Sequence, residues 1–196
     1  MEILYKENTS QRYVRMKEAR MLSIQVGLPK TIARTEKTDM SDKAWTSGIF
    51  KMAVSGRVWL SKLNLDGDAQ ANLKAHGGPH RAVNVYPSEH YLYWKQDLHL
   101  SDMPYGGFGE NFTTQGLLEN EVCIGDVFKV GEAVVQVSQP RQPCRNLSRR
   151  WQIREDRLVF ACFAGRLRRI GKRPDPCGAA FSTVDCRQSE PDYTAS

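Results

Sequence analysis

The run Val127-Phe128-Lys129-Val130-Gly131-Glu132-Ala133-Val134-Val135-Gln136-Val137 decides the fold. Apolar residues of high strand preference flank Gly131-Glu132, and the second arm alternates with polar residues, the period of a half-buried strand. A glycine at the first turn position suits the II′ geometry that follows strand twist, so the stretch reads as a β-hairpin. Its second strand continues through Ser138 into Gln139-Pro140-Arg141-Gln142-Pro143-Cys144-Arg145. Pro140 and Pro143 stop it, because proline cannot donate to a ladder. A cysteine is thereby set on a stiff loop at a strand end, between two arginines whose charge favours thiolate over thiol. The plainer reading of such a residue is a small, inert, buried group.

Working outward, more short strands appear. Met21 to Gly27 alternates apolar and polar, Trp45–Met52 and Val54–Leu60 are separated by Ser55-Gly56, and Ala82–Tyr86 is a further strand. Pro29 to Lys43 is polar and reads as a loop with some extended structure, and Leu65-Asp66-Gly67-Asp68 reads as a turn. Pro87 suits the first turn of a helix, with Glu89 placed for its dipole. Tyr91, Trp94 and Leu98 give that helix one apolar face, a core stripe rather than a base-stacking platform. Tyr105 to Phe112 is a glycine-rich loop entering a strand; it lacks the Gly-Lys-Ser/Thr of a P-loop and the spacing of a dinucleotide site. Arg145–Trp151 reads as a short helix. Many short strands with few helices indicate a mainly β domain, barrel or sandwich.

A chain of 196 residues, 40% hydrophobic and 26% charged, suits one soluble globular domain. No apolar run is long enough to span a bilayer, and no signal-peptide pattern opens the chain. Five cysteines without C-x-x-C spacing argue against a disulfide framework or zinc knuckle, and for a reducing, cytoplasmic setting. The net charge of +6 is unevenly spread. Residues 1–140 balance, whereas 141–196 carry twelve Lys/Arg, eleven of them arginine, against six Asp/Glu. Such a tail suits nucleic acid or a phosphate-bearing ligand. Nucleic acid ranks low, because the aromatics follow core periodicity and no RNA-binding motif is present.

Four loops hold the polar residues that a site needs: His76-Gly77-Gly78 with Arg81, Gly109-Glu110-Asn111, Gln139 to Cys144, and Arg145. Together they would offer a soft thiolate, arginine forks for phosphate and exposed backbone donors. A Cys-His nucleophile pair is the competitor, with His76, His80, His90 and His99 as the available bases.

Leu65-Asp66-Gly67-Asp68, His76-Gly77-Gly78-Pro79-His80-Arg81-Ala82-Val83, Tyr86-Pro87-Ser88-Glu89-His90-Tyr91, Phe108-Gly109-Glu110-Asn111-Phe112-Thr113-Thr114, Val122-Cys123-Ile124-Gly125-Asp126 and Gln139 to Cys144 occur in this order. The series resembles the MOSC domain family, in its YiiM-like, stand-alone bacterial branch. The resemblance implies a β-barrel of the MOSC type with a few short helices, and a molybdenum-cofactor role. It implies that Cys144 is the catalytic residue and molybdenum ligand. His76, Gly77, Gly78, Arg81, Glu110, Asn111, Arg141 and Arg145 would be the cofactor-binding residues, the last two through the pterin phosphate by their charge. The implied activity is reductive detoxification of small N-hydroxylated compounds with electrons from an external donor protein; the alternative is a non-enzymatic cofactor or sulfur carrier. Pyridoxal phosphate accompanies the family only through a separate desulfurase domain and is not expected here. Residues 1–20 read as an extension, 21–154 as the domain, and 155–196 as an atypical basic tail. A frameshifted or disordered terminus would explain that tail and would leave the barrel without its closing strands.

Overall fold

The structure is a computed structural model that describes residues 1–6, 13–33, 44–99, 102–142, 144–153, 163–169 and 183–186. Twelve strands are present among them: β1 Glu2–Lys6, β2 Tyr13–Val26, β3 Lys30–Ile32, β4 Trp45–Ser47, β5 Met52–Val54, β6 Gly56–Trp59, β7 Val83–Pro87, β8 Phe112–Gln115, β9 Val127–Val130, β10 Ala133–Pro140, β11 Phe163–Arg169 and β12 Thr183–Cys186. The helices are α1 Leu73–His76, α2 Glu89–Leu98 and α3 Arg145–Trp151, with a 3-10 turn at Pro79–Arg81. No helix among the described residues is long and apolar enough to cross a membrane.

Eight strands make one sheet in the order β1-β9-β10-β11-β7-β8-β2-β5, and β2 also pairs back onto β1. That last pairing closes the sheet on itself, as a mainly β barrel requires. Every pairing is antiparallel except β7 with β8, where Val85 faces Phe112. A parallel pair needs a crossover, here supplied by α2 and the glycine-rich loop after it. Two smaller sheets pair β3 with β4 and β6 with β12.

Strand alternation divides the burial. On β7, Val83 and Val85 join Ile3, Met21, Ile24, Phe112, Phe128, Val135 and Val137 in the barrel core. Tyr86 falls on the other face and packs with Tyr91, Trp94, Met103, Phe108 and Leu147 beneath α2 and α3. Full burial of each large side chain contributes about 1.5–3 kcal/mol. Polar tips within this second cluster are satisfied: Trp94 Nε1 donates to Tyr86 Oη at 2.7 Å, and Trp151 Nε1 donates to the Gly107 carbonyl at 2.8 Å.

The hairpin of β9 and β10 forms with Gly131 at φ +60°, and α3 follows Cys144 as expected. Four expectations need correction. Pro87 ends β7 instead of opening α2, whose cap is Ser88. The Trp45–Met52 strand is interrupted at residues 48–51, and the irregular stretch brings Lys51 inward to 7% exposure. The polar opening of the chain is not set apart from the sheet. β1 supplies the buried Ile3, and β2 runs through the boundary at Met21, pairing with β1, β8 and β5. The closing strands expected to be missing are also supplied in part from beyond residue 154, since β11 lies between β10 and β7. Gly165 is the point of closest approach there: a Cβ would lie 2.6 Å from Val135 Cγ1 and 3.1 Å from Val83 Cγ2. Only a residue without a side chain keeps this seam closed. Further along the tail β12 pairs with β6, and the expectation of disorder for the remaining residues falls outside those described.

Candidate functional site

Three elements deliver the polar residues to one place. Asn72 caps α1, its Oδ1 accepting from the Ala75 amide at 3.1 Å. His76 ends this helix, and Gly77 then folds back with its amide on the Leu73 carbonyl. A Cβ on Gly77 would lie 2.7 Å from that carbonyl oxygen, so the turn requires glycine. Gly78, at φ +97°, starts the 3-10 turn that presents Arg81, and Arg81 Nη1 donates to the Ala75 carbonyl at 2.6 Å. From the other side, the end of β10 carries Arg141, and Cys144 stands half-buried and extended immediately before α3.

Two adjoining cavities meet at these residues. The inner one, of about 110 Å³, is lined by Ser47, Lys51, Asn72, Asn84, Asn111 and Asn146, among others. The outer one, of about 400 Å³, adds Gln139 and Gln142. His76, Arg81, Arg141 and Cys144 line both. No aspartate or glutamate is among the described residues that line either cavity.

The floor is a hydrogen-bonded chain. Asp68, its side chain fully buried, accepts from Lys51 Nζ, from the Gly27 amide at 2.9 Å and from Asn111 Nδ2 at 3.0 Å. Asn111 Oδ1 in turn accepts from the Asn84 amide at 3.1 Å. Burial pushes the Lys51 ammonium below the ordinary lysine range, a shift that Asp68 opposes. His76 is also held below its usual value, first by burial and then by Arg141 and Arg81, so its imidazole is neutral at neutral pH. Asn84 Oδ1 is buried and has no hydrogen-bond partner among the described residues. Arg141 has no ion pair or hydrogen bond among them either. Among its described residues the cleft is thus rich in cationic donors and lined by no carboxylate.

Of the nine residues expected at a site, Cys144, His76, Arg81 and Arg141 converge here. Asn111 lines the inner cavity with both ends of its amide engaged by protein. Gly77 and Gly78 shape the turn between His76 and Arg81 without lining a cavity. Arg145 sits exposed in the first turn of α3 and lines neither cavity. Glu110 is fully buried away from the cleft, where its carboxylate accepts from Tyr91 Oη, Thr113 Oγ1 and the amides of Gly106 and Phe108. Burial, with Glu110 beside it, pushes the Tyr91 phenol well above its usual range, which keeps it a donor.

Sequence reading missed Lys51 and Asn84. Each carried a signal, as a polar residue inside an otherwise apolar run: Ile49-Phe50-Lys51-Met52-Ala53-Val54 and Val83-Asn84-Val85. His90 pairs with Glu119 at 3.0 Å and, like His80 and His99, lines neither cavity, which leaves His76 as the histidine beside Cys144. No group of three His, Cys, Asp or Glu side chains suited to a metal exists among the described residues, so Cys144 stands as a single soft donor.

The MOSC domain model matches residues 72–182, more than half of the chain. The protein YflK of Bacillus subtilis is 45% identical over 142 residues, covering 71% of this chain and 61% of that one. YiiM of Escherichia coli is 49% identical over 111 residues, covering 55% and 49%. A Gibberella moniliformis protein named as a reductase is 36% identical over 137 residues, which make up 24% of its length. The chain therefore spans about half to three fifths of these two bacterial relatives. The crystal structure of YiiM from Geobacillus stearothermophilus superposes with a TM-score of 0.59 at 32% identity, covering 85% of this chain and 71% of that one. The Escherichia coli YiiM structure gives 0.52 at 32% identity, covering 69% and 61%. A curled sheet feeding a cysteine, a histidine and two arginines to one cleft thus accompanies a family match across the same residues: the chain belongs to the MOSC domain family.

Proposed function

We propose that this protein binds a molybdenum cofactor and reduces small N-hydroxylated compounds. The observation that carries the reading is the convergence of Cys144, His76, Arg81 and Arg141 on one cleft. The donor set fits the group. A thiolate is a soft ligand of the kind a high-valent metal takes, and arginine forks match a phosphate. The unpartnered Asn84 Oδ1 offers an acceptor to a pterin N–H. Cys144 Sγ would hold the metal, Arg81 and Arg141 the phosphate, and Asn84 the ring edge. When bound, the cofactor supplies a centre that exchanges two electrons.

The overall reaction takes R–NH–OH, two electrons and two protons to R–NH₂ and water. Neutral His76 can donate or accept one hydrogen bond, which suits it to orient an N-hydroxyl group beside Cys144. The two arginines hold the cleft positive and so favour electron-rich oxygen over cationic ligands. The electrons come from a separate donor protein. The relative named as a reductase supports this direction of chemistry.

Metal analysis and fluorescence of the oxidised pterin test the binding. Purified protein should carry molybdenum and pterin, and Cys144→Ala should lose the metal, while the cofactor-free forms of both proteins melt at the same temperature. Wild-type molybdenum content in Cys144→Ala rejects the assignment. Turnover of an N-hydroxyamidine with a chemical reductant separates an enzyme from a carrier, which would hold the cofactor without consuming substrate.

A further inference from the structure

We infer that the inner cavity is a phosphate subsite built around Lys51. Lys51 is 7% exposed and lines this cavity. Its ammonium has three donor hydrogens. Among the described residues its one hydrogen-bond partner is Asp68, so two N–H donors of a buried cation remain unused. Desolvating an ammonium is costly unless its hydrogens are satisfied. The side chains around it repeat the pattern. Among the described residues Arg141 has no ion pair or hydrogen bond, and the Ser47 hydroxyl oxygen accepts from the Ile49 amide and Asn146 Nδ2 while its own hydrogen has no partner.

Asp68 is the acid in contact with this group, and the oxygen that Lys51 reaches, Oδ1, is already filled by Lys51 and the Gly27 amide, while Oδ2 accepts from Asn111. An incoming ligand must therefore bring its own acceptors. A cavity of about 110 Å³ has room for several water-sized groups, enough for a phosphate. A phosphate monoester brings several acceptor oxygens on one small centre, which is what the unused donors of Lys51, Arg141 and Ser47 call for.

Two ligands could bring that phosphate: the cofactor proposed above, or a phosphorylated substrate. The cofactor source rests on the proposed function; the phosphate subsite does not. The assignment adds a buried lysine to Arg141 as a phosphate donor and leaves the exposed Arg145 out.

The test uses the full chain and inorganic phosphate as probe, read by calorimetry and by the phosphate-dependent rise in melting temperature. Lys51→Met alone strands the Asp68 carboxylate, so the informative variant is Lys51→Met with Asp68→Asn, which removes both charges together. Cofactor-free wild type should bind phosphate saturably, the double variant at least tenfold more weakly, and Arg57→Gln, on an exposed pair with Glu132, like wild type. Equal affinity in wild type and the double variant overturns the inference, as does a wild type that binds no phosphate. Loss of phosphate binding on loading the cofactor supports the subsite and gives it to the cofactor; Lys51-dependent binding that persists after loading supports it and gives it to a substrate. Protein that never retains molybdenum yet binds phosphate through Lys51 would sink the proposed function and leave the subsite standing.

Discussion

Replacing Glu110 by glutamine should destabilise the fold by about 3 kcal/mol through one loop, with no group removed from the cleft. Its Oε1 accepts three donors, Tyr91 Oη, the Gly106 amide and Thr113 Oγ1, and its Oε2 accepts the Phe108 amide at 3.0 Å. An amide oxygen can take over the first position, but its NH₂ then faces the Phe108 N–H. That loses one charge-assisted bond, about 2 kcal/mol, and weakens three more by a few tenths each, about 1 kcal/mol together. Flipping the amide is worse, since three donors would then face the NH₂. Glu110→Ala strands all four donors and costs about 5 kcal/mol or more, a large share of a typical total of about 5–15 kcal/mol. Urea unfolding followed by tryptophan fluorescence suits the measurement, because Trp151 is bonded to the same loop at Gly107. With an m-value of about 2 kcal/mol/M, Glu110→Gln should move the midpoint down by about 1.5 M. A shift below about 0.3 M would refute the view that this carboxylate organises the loop.

Gly165→Ala should overpack the seam between Val135 and Val83 and cost about 1–3 kcal/mol, measurable as a lower melting temperature with cofactor binding assayed in parallel. The bond from Trp151 Nε1 to Gly107 predicts a loss of about 1 kcal/mol for Trp151→Phe, read by chemical unfolding. The His90–Glu119 contact raises the imidazole pKa, chiefly through the hydrogen bond. A raised folded value means the contribution is fully present below the unfolded value of about 6.5 and is lost as pH climbs through the folded one. Both side chains are about a third exposed, so the difference between wild type and Glu119→Gln should be below about 1 kcal/mol at pH 5.5 and vanish by pH 8.5. His76 has the opposite sign: its lowered value withdraws stability as pH falls below about 6.5, and His76→Gln should flatten that acid limb.

Local chemistry in the sequence carried the hairpin at Gly131, the helix after Cys144 and the core role of Tyr91 and Trp94. Each depends on residues within a few positions, where periodicity and turn geometry operate. Convergence of His76, Arg81, Arg141 and Cys144 came from family resemblance, since no periodicity relates positions so far apart. Glu110 and Arg145 went astray for opposite reasons. An acid following a glycine-rich loop looks like a cleft residue, yet backbone amides of its own loop close around it. An arginine next to the key cysteine looks like a clamp, yet helical geometry turns successive residues away from each other. The Lys51–Asp68 pair spans 17 positions, and only the folded chain sets them face to face. β1 and the first half of β2 were hidden because residues 1–20 are polar and charged with only weak periodicity, and β11 was hidden by three arginines in its seven residues.

β11 lies between the strand that ends near Arg141 and Cys144 and the strand that starts after Arg81. It therefore acts as a spacer between the two walls of the cleft, although the described residues that line the cavities all precede it. A chain cut after residue 153 would keep each of those side chains and lose the strand that spaces them. Losses of function would then arise from stop codons and proteolytic nicks far downstream of Cys144. A fragment from 154 to 196 supplied separately should restore phosphate binding to the cut chain, and an inserted strand is the kind of part that can be returned in this way.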